Sequence, residues 1–145
     1  MRKTPRHPGA QLLVALGCAA AAAGCSDGFE PDAPLECAGD QTVAVAVQPS
    51  VRPTFTWEPG CGMASISVES PDGATWVVYT VGGDAGDNPI GSGVRYGDAP
   101  PGTAAPTPAA PLQSGVEYTV TVYRWIGEPG GPGSLFARGS AEFVR

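Results

Sequence analysis

The chain has 145 residues, of which 42% are hydrophobic and 15% charged, with 21 glycines, 16 prolines and a formal net charge of −6. That length allows one domain. Arg2, Lys3, Arg6 and the single histidine, His7, all precede the first acid, Asp27; beyond them five arginines (Arg52, Arg95, Arg124, Arg138 and Arg145) stand against all 14 acids, and there is no lysine. An acidic domain without a lysine cluster presents no electrostatic footprint for nucleic acid or anionic headgroups.

Residues 1–24 carry the pattern of a secretory signal, a basic start followed by the uncharged run from Leu12 to Gly24. That run, about 13 residues, is shorter than the ~20 a membrane helix needs. No other segment is apolar enough to span a bilayer, so the expectation is export. Ala22-Ala23-Gly24-Cys25-Ser26-Asp27 resembles a bacterial lipobox, in which a cysteine receives a diacylglyceryl thioether and becomes the new N-terminus. Ala22 departs from the Leu, Val or Ile usual three positions before that cysteine. Cys18 is a second candidate, but it would leave an apolar core of only about six residues. Ordinary signal cleavage within Ala21-Ala22-Ala23 is the alternative. Ser26 after the modified cysteine resembles the pattern passed on to the outer membrane of Gram-negative cells.

Beyond the signal stand three cysteines, Cys25, Cys37 and Cys61. In an oxidising compartment two would pair and one be left over, and an odd cysteine in an exported chain asks for an explanation. Lipidation of Cys25 supplies it and leaves Cys37 and Cys61 to bridge.

Residues 25–40, acidic and punctuated by Pro31 and Pro34, read as a tether. From there the period is two. Val43, Val45 and Val47 share one face of a first strand, and Phe55 and Trp57 one face of a second. Ile66 and Val68 lie on a third, ended by the turn Ser70-Pro71-Asp72-Gly73. The run Thr75–Val81 is apolar throughout, so its faces stay unassigned. Ile90 to Tyr96, interrupted by Gly91 and Gly93, is a poor strand at an edge. Residues 97–111, with Pro100, Pro101, Pro106, Pro108 and Pro111, read as a loop. Tyr118, Val120 and Val122 then alternate with threonines in the clearest strand of the chain, and Ala141 and Phe143 share a face of the last.

About seven short strands with turns between them and no helical period define an all-β chain, a single antiparallel β-sandwich over residues 41–145. Leu112-x-x-Gly115-x-x-Tyr118-x-Val120-x-Val122 resembles the tyrosine corner of fibronectin type III domains, and Pro53-Thr-Phe55-Thr-Trp57 resembles their second strand. The resemblance implies an immunoglobulin-like sandwich with Trp57 in its core and the Tyr118 hydroxyl turned back onto the backbone. It also implies that the N-terminus lies beside the loop carrying Cys61, where Cys37 can reach it. The proline-rich insert and the bridge depart from the family pattern.

Without histidine or lysine in the exported part, Ser-His-Asp, Cys-His and Ser-Lys arrangements cannot form, nor can a zinc site built on imidazole. The expectation is no enzyme, no cofactor and no metal. Asp84, Asp87 and Asn88 offer oxygen ligands in a glycine-rich loop, but without the order of a calcium-binding hand, and a solvated hairpin loop is the simpler reading. Aromatics are the stronger signal. With Tyr118, Val120 and Val122 in the core, Tyr123 and Trp125 take the opposite face, joined by Trp76 or Tyr79. Trp76, Tyr79, Tyr123 and Trp125 form the candidate binding surface, unless the proline-rich segment folds over it. The expected role is a membrane-anchored envelope module that binds a protein partner or, alternatively, a polysaccharide.

Overall fold

The computed structural model describes residues 37–81, 86, 88–127 and 132–145. The signal segment 1–24, Cys25 and most of the tether lie outside the described residues, as do Asp84 and Asp87. Among the described residues the regular elements are strands: β1 (Ala44–Gln48), β2 (Thr54–Glu58), β3 (Ser65–Ser70), β4 (Gly73–Thr80), β5 (Val94–Arg95), β6 (Thr103–Thr107), β7 (Glu117–Gly127) and β8 (Gly133–Val144). They form two antiparallel sheets, β1-β2-β5 and β6-β4-β3-β7-β8. No helix among the described residues is long and apolar enough to cross a membrane.

Alternation along each strand determines which side chains meet between the sheets. From the three-stranded sheet Phe55 and Trp57 point inward, both fully buried. From the five-stranded sheet come Ile66, Val68, Trp76, Val78, Val120 and Val122, again without exposure. Phe55 stacks on Trp76 with centroids 6.3 Å apart, and the Tyr96 ring meets Trp76 edge-on at 5.3 Å. This settles the strand whose faces the sequence left open: Trp76 and Val78 face the core, and Tyr79 faces solvent.

The hairpin between β3 and β4 closes where Ser70 pairs with Gly73. Gly73 has φ +121°, a conformation that glycine adopts without strain. The tyrosine corner forms at the start of β7, where the amide of Gln113 donates to the Tyr118 hydroxyl at 2.9 Å. Cys37 and Cys61 are bridged, with Cα atoms 5.6 Å apart. The carbonyl of Cys61 accepts a hydrogen bond from the Trp57 indole at 2.7 Å, so the bridge is fastened directly to the core.

One expectation is overturned. Part of the proline-rich segment is a strand: β6 pairs with β4 through Thr103, Ala104 and Thr107. Pro106 is tolerated because β6 is an edge, where a missing amide need break no ladder bond. The weak strand expected over 90–96 is reduced to the two residues of β5, at the edge of the other sheet.

Candidate functional site

The outer face of the five-stranded sheet is built by register. Ala104, Tyr79, Ser65, Tyr123 and Ala137 lie opposite one another in a single row across β6, β4, β3, β7 and β8. Neighbouring strands lie about 4.8 Å apart, so the two tyrosines rise some ~9.6 Å from each other with a small residue between them. Ser65 and Ser67 form the floor and are themselves buried, at 5% and 6% exposure, although they stand on the outward side of β3. Ser65 donates to the carbonyl of Val78 at 2.8 Å, and Ser67 lies 3.5 Å from the Tyr123 hydroxyl. The tyrosine on β7 therefore leans over the serines.

Two residues along β7, Trp125 continues the same face and stands opposite Leu135 of β8. A Cβ at Gly133 would lie 2.5 Å from the Trp125 ring, so the indole lies flat on a position that only glycine leaves open. Leu135 is 47% exposed and Tyr79 41%, while Tyr123 and Trp125 are half-buried. Tyr79, Tyr123, Trp125 and Leu135 together make an apolar, largely aromatic strip on a solvent-facing sheet. Strand β6 extends the sheet beside β4 and does not lie over this strip.

The structure thus brings together three of the four residues singled out from the sequence. Trp76 does not join them; it is fully buried between Phe55 and Tyr96, and the opposite parity of β4 sends Tyr79 outward instead. Leu135 was missed because the β7–β8 register that places it opposite Trp125 is not visible in either strand alone.

Asn88 has a different part from the one its loop suggested. Its side-chain amide oxygen accepts from the Trp125 amide at 2.7 Å, and its nitrogen donates to the Trp125 carbonyl at 3.2 Å. Beyond the start of β3, this one side chain takes the place of a neighbouring strand for β7. Its oxygen is occupied by the backbone. Among the described residues no group of three His, Cys, Asp or Glu side chains comes together in a way that could hold a metal ion.

The Tyr96 phenol has its pKa pushed up to about 12, first by burial and then by the neighbouring Tyr118. Its hydroxyl donates to the carbonyl of Ala110 at 2.6 Å. The phenol thus fastens the segment after β6 to the core and stays protonated, which is a structural task.

Comparison with known proteins adds no constraint, for no family model, curated protein or solved structure matches the chain.

Proposed function

We propose that this chain is a non-enzymatic, exported lipoprotein whose fibronectin type III-like sandwich binds a protein partner in the cell envelope. The observation that carries the reading is the strip formed by Tyr79, Tyr123, Trp125 and Leu135, which a sheet buried only on its inner face has no packing need to make aromatic. Tyrosine and tryptophan give large contact areas at low entropic cost, which suits a protein interface. The two-sheet architecture and the tyrosine corner at the start of β7 support the family resemblance. The basic start, the short apolar run and Ala22-Ala23-Gly24-Cys25 support acylation of Cys25, and Ser26 supports delivery to the outer membrane.

Crosslinking in intact cells tests both halves. The wild-type chain is expected to yield one dominant crosslinked protein, and the Tyr123→Ser/Trp125→Ser variant to lose it while remaining folded. A folded double variant that keeps its crosslink removes this face from the proposal. Intact mass of the membrane-extracted chain reports the acyl groups, and an unmodified Cys25 removes the anchor.

A second reading rests on the spacing of Tyr79 and Tyr123 about the serine floor, which would let sugar rings stack on aromatic walls. Retention on cell-wall or polysaccharide matrices, lost in the same double variant, would favour it. A chain that passes every matrix unretarded would exclude it.

A further inference from the structure

A different part of the molecule carries an inference that does not depend on the aromatic strip. The two sheets have four outer strands, and three of them are guarded against pairing with another chain. Strand β5 is two residues long, β6 contains Pro106, and β8 is broken by a register slip beside Arg138 and carries Glu142. Short edges, prolines, bulges and charges are the usual protections. Strand β1 has none of them: Ala44-Val45-Ala46-Val47-Gln48 is uncharged, free of proline and regular in its pairing with β2.

Its free side is also chemically prepared. In an antiparallel pair, opposed residues turn their amides and carbonyls either toward each other or both away. The carbonyl of Phe55 accepts from Gly93 and the amide of Trp57 donates to Ser92, both on the β5 side. Val47 and Val45, which oppose them, therefore direct their backbone groups outward from the sheet. Val43 does the same, and its amide is taken by the carbonyl of Arg138 at 2.9 Å. Among the described residues no second backbone bond joins β1 to β8, although the Val45 side chain still packs beside Gly139. Between them opens a cleft of about 330 Å³ whose walls include Val45, Val47, Pro49, Pro53, Ala141 and Phe143.

We infer that the outward edge of β1 is a strand-addition site for an extended segment of another polypeptide, apolar at alternate positions and led by acidic residues. A row of outward peptide groups above an apolar cleft is the pairing surface used in strand augmentation, with main-chain bonds for affinity and pockets for alternate side chains. Charge sets the leading end. Val43 lies beside Arg138 and Val47 shares the cleft with Phe143, so β1 and β8 run parallel, and an added strand can be antiparallel to both. Its N-terminal end then lies by Pro49. There Arg95 and Arg145 have no side-chain ion-pair partner among the described residues, the Arg52–Asp98 pair is satisfied, and Glu142 is the one acidic side chain lining the cleft.

The test uses the full chain in detergent and two fluorescent peptides, acetyl-Glu-Glu-Val-Thr-Val-Thr-Val-amide and the same peptide led by Lys-Lys. The acidic-led peptide is expected to bind about tenfold more tightly, and at saturation to slow hydrogen exchange at the Val45 and Val47 amides by about tenfold or more. Val47→Pro removes an outward amide without removing a bond to β2, and should weaken binding about tenfold with little change in melting. The Tyr123→Ser/Trp125→Ser variant should bind as the wild type does, which separates this site from the aromatic strip. Binding by neither peptide, equal binding by both, or unchanged exchange at Val45 and Val47 would overturn the proposal. So would protection of those amides in a peptide-free dimer, which would give the edge to a second copy of this chain.

Discussion

The Tyr118 hydroxyl reaches back five residues and accepts the amide of Gln113 at 2.9 Å, locking the turn that launches β7. Gly115, at φ +78°, lets the chain double back between them. The ring meanwhile is buried and stacks on Phe143 with centroids 5.6 Å apart. Tyr118→Phe keeps that packing and removes only the acceptor. Because Gln113 is exposed, its amide can turn to water, so the loss should be that of one hydrogen bond, about 1 kcal/mol. For a domain of this size that lowers the melting temperature by roughly 4–8 °C, measurable by calorimetry. An unchanged melting curve would mean that the corner does not contribute to stability.

The Cys37–Cys61 bridge spans 24 positions and joins the start of the described chain to a fully buried core position. Closing a loop of that length restricts the unfolded chain by roughly 3 kcal/mol on the chain-entropy estimate. The Cys37→Ser/Cys61→Ala variant should therefore melt well over ten degrees below the wild type. Treating the wild type with a reductant should lower its melting temperature similarly, and should leave the double variant unaffected. A reductant effect on the variant would point to some other source.

Gly139 lies where β8 passes β1, and a Cβ there would fall 2.4 Å from the Val43 carbonyl oxygen and within 2.9 Å of the Val45 side chain. The first contact is with backbone, which cannot rotate aside. Gly139→Ala must push the strands apart beside the Val43–Arg138 bond, at an expected cost of 1–3 kcal/mol, roughly that of overpacking a core. Chemical denaturation would measure it, with a lower midpoint and an unchanged slope expected.

Strands whose two faces differ were legible from their period. Val43 to Val47, Phe55 and Trp57, Ile66 and Val68, and Tyr118 to Val122 all point as alternation demands. The β4 strand was not, because Trp76, Val77, Val78 and Tyr79 are all apolar or aromatic and only packing against Phe55 and Tyr96 sorts them. Strand β6 was hidden by Pro106 and the prolines that flank the strand, which signal a loop unless the partner strand is known. Alternation along β3 puts Ser65 and Ser67 on the face opposite Ile66 and Val68, yet both are buried, with the Tyr123 hydroxyl 3.5 Å from Ser67. The face assignment itself is testable. Trp76→Ala should cost about 3–5 kcal/mol, as large aromatic truncations in a core do, whereas Tyr79→Ala should change stability by less than about 1 kcal/mol.

Alkaline stability should be limited by Tyr96. In the unfolded chain its phenol ionises near the ordinary value of 10, whereas burial first, and Tyr118 second, pushes it up to about 12 in the fold. Between those values the unfolded chain releases the proton that the folded chain keeps, so rising pH favours unfolding. The contribution is present in full below pH 10 and is lost as the pH climbs toward 12. Melting temperature should therefore fall across that interval in the wild type. Tyr96→Phe gives up the bond to the Ala110 carbonyl and should start lower at neutral pH by the equivalent of about 1 kcal/mol. With no phenol at that position, its melting temperature should decline less steeply from pH 10 to 12. Parallel slopes for the two proteins would assign the alkaline loss to other groups.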